Sequence, residues 1–306
     1  MPEYLIHKAV EFAAVKVGVR KALGVSSVDE LAQSYTAQRK HDGCNAIALV
    51  YPNADLDQLL SRTGERVRSC QHVLVALRQR LSRYLADGHA YAVLGEVWQP
   101  GTPQSTISGD FRRHDPAPEL QFVVFDILDA EAFKAGASPT PFEQRYERAA
   151  MLFRGAHPKD TVQLCATYNP GTYGLPQRMA DELSKAGGYD GLILRDPSAG
   201  WVAGSGTGGE IIKVKPVMTL DLRVVSLEEG KGKYAGMLGA LVCKGPKGTV
   251  KVSGMADEER AQWWENPNQV LGEIIEVQCL GITPAGSLRE PRFKGIRFDK
   301  ENADFE

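Results

Sequence analysis

The chain has 306 residues, of which 43% are hydrophobic and 24% are charged, and its formal net charge is −2. These values are ordinary for a globular protein, and the length suits about two domains. The near-neutral charge neither indicates nor excludes a nucleic-acid-binding protein, because a local basic surface is enough for contact with phosphate.

Signals for a membrane or an oxidising compartment are not found in the sequence. No apolar run approaches the roughly 20 residues that a membrane span needs. The charges of Glu3, Lys8 and Glu11 argue against a signal peptide. The five cysteines lie far apart without a CxxC pair, so neither a zinc cluster nor a disulfide framework is expected. We therefore expect a cytoplasmic protein, in the cytoplasm of the host cell if it is viral.

The first two thirds of the chain are predicted to mix helices and strands. Apolar residues at helical spacing between residues 10 and 17 predict an N-terminal amphipathic helix, and the stripe of Val73, Leu77 and Leu81 predicts a longer one that stops at Gly88. A further helix is expected near residues 141 to 155. Strands are expected at "YAVLGEVW", "LQFVVFDIL", "VQLCATY", "YDGLILRD" and "EIIKVKP". This irregular alternation is typical of an α+β fold.

Beyond Pro216 the pattern changes to short strands separated by glycine-rich turns. The runs "LDLRVVSL", "MLGALVCK", "TVKVSG" and "EIIEVQCLGI" predict strands, and "DEERAQWWEN" predicts one helix. About 90 residues of this kind are typical of a small β-barrel. We place the domain boundary between residues 216 and 217.

The segment "AQRKHDGCNA" places Lys40 two residues before an Asp-Gly pair. Taken alone, this pattern is more often an exposed turn between strands, because Asp-Gly favours such turns. The alternative interpretation is that Lys40 is a covalent nucleophile, which requires anion-binding and metal-binding groups elsewhere in the chain.

Charged residues inside predicted strands are candidates for those groups. Lys213 and Lys215 share one face of a strand, where they lie either in water or around an anion such as a polyphosphate. Glu96 lies in an apolar strand and Asp190 opens another. Both carboxylates could hold Mg²⁺, although a half-exposed strand explains Glu96 equally well. Phe125 could stack on a base, but plain core packing is the more common role.

Two other segments contain patterns that are found in phosphate-binding or nucleotide-binding proteins. The tail "SLREPRFKGIRFDK" alternates basic and apolar residues, as expected of a strand whose basic groups meet phosphate. The run "GSGTGG" at 204 to 209 fits a dinucleotide-binding pattern, but it precedes a predicted strand rather than a helix, so we do not interpret it as that motif.

The order of these motifs resembles that of the ATP-dependent DNA ligases, from "KHDG" through "SRTGE", "LGEV", "FVVFD", "DGLILRD" and "KVK" to "RFDK". The resemblance covers nearly the whole chain, and the short length is similar to the compact ligases of tailed bacteriophages. It implies a nucleotidyltransferase domain over residues 1–216, with ATP-grasp-like antiparallel sheets and helices, followed by an OB-fold barrel over residues 217–306. It also implies a monomer that acts on nicked double-stranded DNA in replication, repair and recombination.

The resemblance implies that Lys40 attacks ATP to form lysyl-AMP, that AMP passes to the 5′-phosphate of a nick, and that the 3′-hydroxyl then displaces AMP. Lys213 and Lys215 would disfavour a further ammonium group nearby and hold the α-phosphate. The implied nucleotide-binding residues are Gln38, Arg62, Glu96, Phe125, Arg297 and Lys300, with Asp299 beside them in the last motif. The implied metal ligands are Glu96 and Asp190, for Mg²⁺ or Mn²⁺. The implied DNA-binding residues are Arg62, Asn45 and Arg292.

Two positions depart from the usual motifs of the family. Asn45 stands where the ligases usually have an arginine that serves the phosphate of the nick, which leaves the exact polynucleotide substrate open. Asp190 stands where glutamate is usual, so its contact with a metal could be indirect.

Two other classes of function remain open from the sequence. An RNA ligase or a GTP-using capping enzyme shares the lysine chemistry, and the small barrel favours DNA over both. A non-catalytic protein that binds nicks or single strands would need no reactive lysine. The presence of Lys40, Glu96, Lys213 and Lys215 argues against it.

Overall fold

The computed structural model describes residues 5–157, 159–283 and 285–306. The chain divides into two compact units, Met1–Lys215 and Pro216–Glu306. Both units combine strands with helices, so the predicted α+β class is confirmed. None of the described helices is both long and apolar enough to cross a membrane.

The first unit combines strands of different lengths with α-helices along its whole sequence. Its strands are β1 (His7–Lys8), β2 (Thr36–His41), β3 (Cys44–Val50), β4 (Gln58–Ser61), β5 (Tyr91–Trp98), β6 (Gln121–Asp129), β7 (Ala137–Ser138), β8 (Val162–Leu164), β9 (Thr167–Tyr168), β10 (Tyr189–Arg195), β11 (Trp201–Val202), β12 (Gly204–Ser205) and β13 (Ile211–Val214). Its α-helices are α1 (Val17–Leu23), α2 (Gln71–Ala86), α3 (Gln104–Arg112), α4 (Ala130–Ala135), α5 (Phe142–Leu152), α6 (Pro170–Tyr173) and α7 (Pro176–Ala186).

Two sheets form the framework of the first unit. One has the strand order β4-β3-β5-β6-β8 and the other has the order β13-β10-β2-β9. All neighbouring strands in them are antiparallel except β6 and β8. The core of the first sheet includes the predicted stripe of α2, since Val73, Leu77 and Leu81 are fully buried there. Burial of such a stripe supplies most of the stability of an amphipathic helix.

The predicted N-terminal helix is wrong in its position. The α-helix covers Val17–Leu23, whereas Val10 lies in extended chain beside β13. The Val10 amide donates to the Ile211 carbonyl at 3.2 Å, and the Lys213 amide donates to the Val10 carbonyl at 2.9 Å. Pairing with a neighbouring strand therefore overrides the helical spacing of the apolar residues.

The predicted strand "VQLCATY" is two strands in two sheets. β8 pairs with β6 in the first sheet, and β9 pairs with β2 in the second. Cys165 lies buried between them, and its amide donates to the Val124 carbonyl at 2.7 Å. The chain therefore crosses from one sheet to the other at this residue, which a continuous apolar run does not reveal.

The second unit is a small antiparallel barrel with one helix. Its sheet has the order β16-β15-β14-β17-β18, built from β14 (Met218–Glu229), β15 (Leu238–Gly245), β16 (Gly248–Val252), β17 (Ile274–Cys279) and β18 (Arg292–Ile296), and its helix is α8 (Asp257–Glu265). Chain beyond β16 meets β18 where the Phe293 amide donates to the Ser253 carbonyl at 2.8 Å. Trp263 of α8 packs edge-on against Phe293 over the core. The strands and the helix predicted for this region are confirmed.

Candidate active site

Lys40 lies near the end of β2, where the chain leaves one sheet of the first unit for the other. β2 and β3 flank the Asp42-Gly43 turn but belong to different sheets, so the turn does not close a hairpin. A Cβ on Gly43 would lie 2.2 Å from the Val97 carbonyl oxygen, and only glycine lets the chain pass β5 so closely. The turn thereby holds Lys40 at the junction of the two sheets.

The Lys40 side chain is 26% exposed, and its Nζ lies 2.7 Å from Oδ2 of Asp190. Asp190 is buried at the start of β10. The next residue, Gly191, has φ of +103°, and a Cβ there would lie 2.0 Å from the Val214 carbonyl oxygen. This close approach of β10 to β13 requires glycine and places the Asp190 carboxylate beside the amine.

A cavity of about 300 Å³, which we call the small cavity, opens between the two sheets. Ile193 of β10 pairs with Gln38 on one side and with Lys213 on the other. Directly opposite residues of neighbouring strands share a face, so these side chains line one wall. The opposite wall comes from β5 and β6, through Leu94, Glu96 and Phe125. The cavity therefore combines apolar surfaces with an amine, a carboxylate and an aromatic ring.

A buried ion-pair network supports the small cavity from below. The guanidinium of Arg145 donates to both carboxylate oxygens of Asp126, each at 2.9 Å. Arg195 lies 3.6 Å from the same carboxylate and donates to Oε1 of Gln38 at 2.7 Å. Nε2 of Gln38 in turn donates to the carbonyl oxygen of Phe125 at 3.2 Å. These contacts fix Gln38 and Phe125 in the wall of the cavity.

The surroundings of Glu96 shift the pKa of its carboxyl group upwards. Burial raises its pKa from 4.5 to about 7, and Asp42 adds to this, whereas Lys40 and hydrogen bonds from Gly43 and Asn45 lower it. Desolvation disfavours the ionised form of a carboxylate, and a bound cation would favour it. Oδ1 of Asn45 is buried and has no hydrogen-bond partner within residues 5–157, 159–283 and 285–306.

A second cavity of about 840 Å³, which we call the large cavity, lies on the other side of Lys40. Lys40, Asn45, Arg62 and Glu96 line both cavities. Arginines make the large cavity basic, namely Arg62, Arg66, Arg68, Arg112 and Arg113. Anionic groups such as phosphates suit a surface of this kind, because guanidinium groups bind them in a bidentate manner.

The predicted metal ligands can be compared with this geometry. Glu96 lines both cavities, while Asp190 hydrogen-bonds Lys40 and lines neither. In the described part of the chain, no three His, Cys, Asp or Glu side chains are grouped as a metal site. Mg²⁺ usually takes one or two protein carboxylates and completes its shell with water and phosphate oxygens. Glu96, which lines both cavities, fits such an ion as a direct ligand, and Asp190 fits an indirect one.

The two strand lysines differ from each other. Lys213 lies on β13, lines the small cavity with Lys40, and has its Nζ 3.8 Å from Oε1 of Glu11. Lys215 lies just beyond the end of β13 and is not part of the wall of either cavity. The prediction that both lysines act on Lys40 therefore has geometric support only for Lys213. The charged partner observed for Lys40 is the Asp190 carboxylate.

The basic residues of the last motif lie in the second unit. Arg297 pairs with Asp221 at 3.0 Å and with Asp299 at 2.8 Å, and Lys300 lies 3.4 Å from Asp221. Arg292 is exposed at the start of β18. In this structure, the acidic groups of the unit itself neutralise Arg297 and Lys300.

Sequence reasoning missed several residues that build the two cavities. Arg145 and Arg195 support the small cavity, and their pairing with Asp126 is not visible in local sequence. Arg112 belongs to α3, a helix that was not predicted. This helix could have been predicted from the polar residues Gln104, Ser108 and Arg112, which recur at intervals of four residues.

Comparisons with known proteins agree with this architecture. A family model described as the DNA ligase OB-like domain matches residues 229–297. The DNA ligase of Natronomonas pharaonis is 27% identical over an alignment of 317 positions. The alignment covers 92% of this chain and 54% of that ligase. The DNA ligase of Haemophilus influenzae is 28% identical, and the match covers 77% of this chain and 78% of that ligase. The chain thus spans about half the length of the first relative and 78% of the length of the second.

Solved structures of ligases share the fold. A structure from a study of DNA binding by Lig E DNA ligases is 18% identical with a TM-score of 0.63, and covers 95% of this chain and 98% of that chain. The ATP-dependent DNA ligase of bacteriophage T7, solved with ATP, is 20% identical with a TM-score of 0.53 and the same coverage. These matches confirm the predicted fold, in which an α+β unit that shares the fold of these ligases is followed by an OB-type barrel.

Proposed function

We propose that this relative of the DNA ligases is an ATP-dependent DNA ligase that seals nicks between a 5′-phosphate and a 3′-hydroxyl. The observation that carries the proposal is that the side chain of Lys40 borders both the small and the large cavity. An amine in that position can take an adenylate from a nucleotide on one side and deliver it to a phosphate on the other. The sequence relatives that are named DNA ligases support the same activity.

In the first step, the neutral Lys40 amine attacks the α-phosphorus of ATP in the small cavity. A bond forms between Nζ and the phosphorus, the bond to the bridging oxygen breaks, pyrophosphate leaves, and the amine proton passes to solvent. Asp190, which accepts a hydrogen bond from Nζ, orients the amine for this attack. Phe125 stacks on the adenine, and Gln38 lies beside the same ring. Lys213 stabilises charge on the α-phosphate, and Lys215 would have to move to join Lys213 there.

The triphosphate also needs positive charge that side chains alone do not supply. When bound with ATP, Mg²⁺ or Mn²⁺ would provide this charge and would polarise the phosphate. We propose that Glu96 binds either this metal ion or the ribose of ATP, and that Asp190 contacts the metal ion indirectly.

In the later steps, the large cavity holds the nick. An oxygen of the 5′-phosphate attacks lysyl-AMP and releases Lys40, and the 3′-hydroxyl then attacks the activated 5′-phosphate and releases AMP. Arg62 and the other arginines of the cavity bind the phosphates of the strand. We assign adenylation to residues 1–216 and the OB fold to residues 217–306, and we propose that a monomer of the compact bacteriophage type acts on the nick.

The second domain contributes in two ways in this proposal. Arg297, positioned by Asp299, and Lys300 exchange their contacts with Asp221 for the triphosphate and steer pyrophosphate out. Arg292 contacts the DNA backbone. Binding of a polyphosphate must then compete with Asp221 for both basic side chains.

The proposal is tested by covalent labelling with α-labelled ATP and Mg²⁺. We expect the protein to gain label, Lys40→Ala to remain at background, and the matched control Lys21→Ala, an exposed residue of α1, to label like the parent. Label on Lys40→Ala would show that another residue carries the adenylate, and no label on the parent protein would contradict the proposal and favour a binding protein. Labelled GTP and a comparison of nicked DNA with nicked RNA separate a DNA ligase from a capping enzyme or an RNA ligase.

A further inference from the structure

Helix α3 presents a polar stripe to the large cavity. Gln104, Ser108 and Arg112 follow one another at intervals of four residues and all line that cavity. Side chains at this spacing lie on one face of a helix. Ile107 is fully buried in the core below, so the helix is held by its apolar face while its polar face lines the cavity.

Two neighbouring arginines at the end of α3 are in different situations. Arg113 donates to Asp110 at 2.7 Å and to Glu119 at 3.1 Å, so it holds the end of the helix. Arg112 is exposed, and none of the described residues forms an ion pair with it. Arg113 therefore has a structural role, whereas the guanidinium of Arg112 is available to an anion.

Arg112 lines the same cavity as Asn45, which occupies the position where the family usually has its phosphate-binding arginine. Burial raises the pKa of the Cys44 thiol and Glu96 adds to this, while a hydrogen bond from Ser108 and the charges of Arg112 and Arg62 lower it. Arg112 is thus within electrostatic reach of Cys44, the residue directly before Asn45. A neutral asparagine amide cannot neutralise a phosphate, so the cavity needs a cation from another element.

We propose that Arg112 of α3 is the residue that binds the terminal 5′-phosphate of the nick, in place of the arginine that Asn45 replaces. This inference rests on the proposed ligase function. Two features carry it, namely the free guanidinium of Arg112 and its position in the cavity that Lys40 and Asn45 share. Arg112 binds and orients the phosphate that receives AMP, whereas the adenylation of Lys40 takes place in the small cavity.

The first test measures binding without chemistry, in the Lys40→Ala background. Nicked duplexes with a 5′-phosphate and with a 5′-hydroxyl are compared for affinity. We expect the Lys40→Ala protein to prefer the phosphate by about tenfold, as a charge-assisted hydrogen bond suggests, and the added change Arg112→Ala to remove that preference. The matched control adds Arg83→Ala of α2 instead, an exposed arginine outside both cavities, and should keep the preference. A phosphate preference that survives Arg112→Ala overturns the inference.

The second test follows single-turnover transfer of AMP from labelled protein to nicked DNA. Arg112→Ala is expected to slow transfer about tenfold more than it slows self-adenylation, and Asn45→Arg in that background is expected to restore transfer. Equal loss in both steps, or a double variant that is no faster than Arg112→Ala, overturns the inference. Failure of the parent protein to label itself contradicts the ligase proposal instead, and the binding test still decides the role of Arg112.

Discussion

The two cavities that meet at Lys40 use charge in opposite ways. Below the small cavity, a group of charged side chains is buried and paired, with Asp126 bound by Arg145 and Arg195 at side-chain exposures of 1%, 4% and 6%. Around the large cavity, the side chains of Arg66 and Arg112 are exposed, and neither forms an ion pair in the part of the chain that the structure describes.

This difference indicates two kinds of recognition. A buried, fully paired network holds its neighbours in one geometry, which suits a small ligand of fixed shape such as a nucleotide. Free arginines on a surface attract any chain of phosphates and lose strength as salt rises. The first cavity is therefore preorganised by folding, whereas the second is suited to a ligand that arrives with its own negative charge.

The largest effect is expected where the buried network is broken. Asp126→Asn removes the countercharge of Arg145 and Arg195, and an unpaired buried charge costs about 3–5 kcal/mol of the free energy of unfolding. Urea unfolding of the whole chain, followed by tryptophan fluorescence, measures this loss. The control is Asp129→Asn on the same strand, because its partner Arg148 is 41% exposed and such surface pairs contribute about 1 kcal/mol or less. Equal losses for the two variants would mean that burial does not distinguish the pairs.

A smaller effect is expected from the carboxylate that both cavities share. The folded pKa of Glu96, about 7, exceeds its unfolded value of 4.5, so the folded state holds the proton longer as pH rises. The stability that this group contributes is fully present below pH 4.5 and is lost as pH rises through 7. Relative to Glu96→Gln, the parent protein should therefore lose about 1–3 kcal/mol of stability between pH 5 and pH 8.

This pH dependence is measured as the difference between the unfolding free energies of parent and variant at each pH. Glu65→Gln is the control, because Glu65 is exposed in the wall of the large cavity. Its difference from the parent should stay constant over the same range. A Glu96→Gln variant that follows the parent at every pH would show that the buried surroundings of Glu96 do not raise its pKa.

Local sequence predicted the parts of the fold that depend on local patterns. The apolar runs became β5, β6 and β10, and the helical stripe became α2, because burial of one face is written directly into such repeats. The resemblance of the ordered motifs to those of the ligases, rather than any local pattern, grouped Gln38, Glu96, Phe125 and Lys213 in one site, and all four line the small cavity.

The remaining features depend on contacts between distant residues. Asp126 and Arg145 are 19 residues apart, and Gln38 and Arg195 are 157 apart, so no local pattern links them. Helix α3 escaped prediction because much of its surface faces a cavity rather than the core, which leaves only Ile107 and Phe111 as a buried stripe. The N-terminal segment was misassigned because strand pairing at Val10 overrode its helical spacing.

The smallest effect is expected from a single arginine of the large cavity. Removing one phosphate contact lowers the slope of log affinity against log salt by about 0.9, so Arg66→Ala should bind nicked DNA more weakly at low salt and converge with the parent at high salt. The measurement is a salt titration of binding, with Arg83→Ala of α2 as the control, since Arg83 is exposed outside both cavities. An unchanged slope for Arg66→Ala would mean that its charge does not reach the phosphates. The same slope change in Arg83→Ala would show that DNA contacts extend well beyond the large cavity.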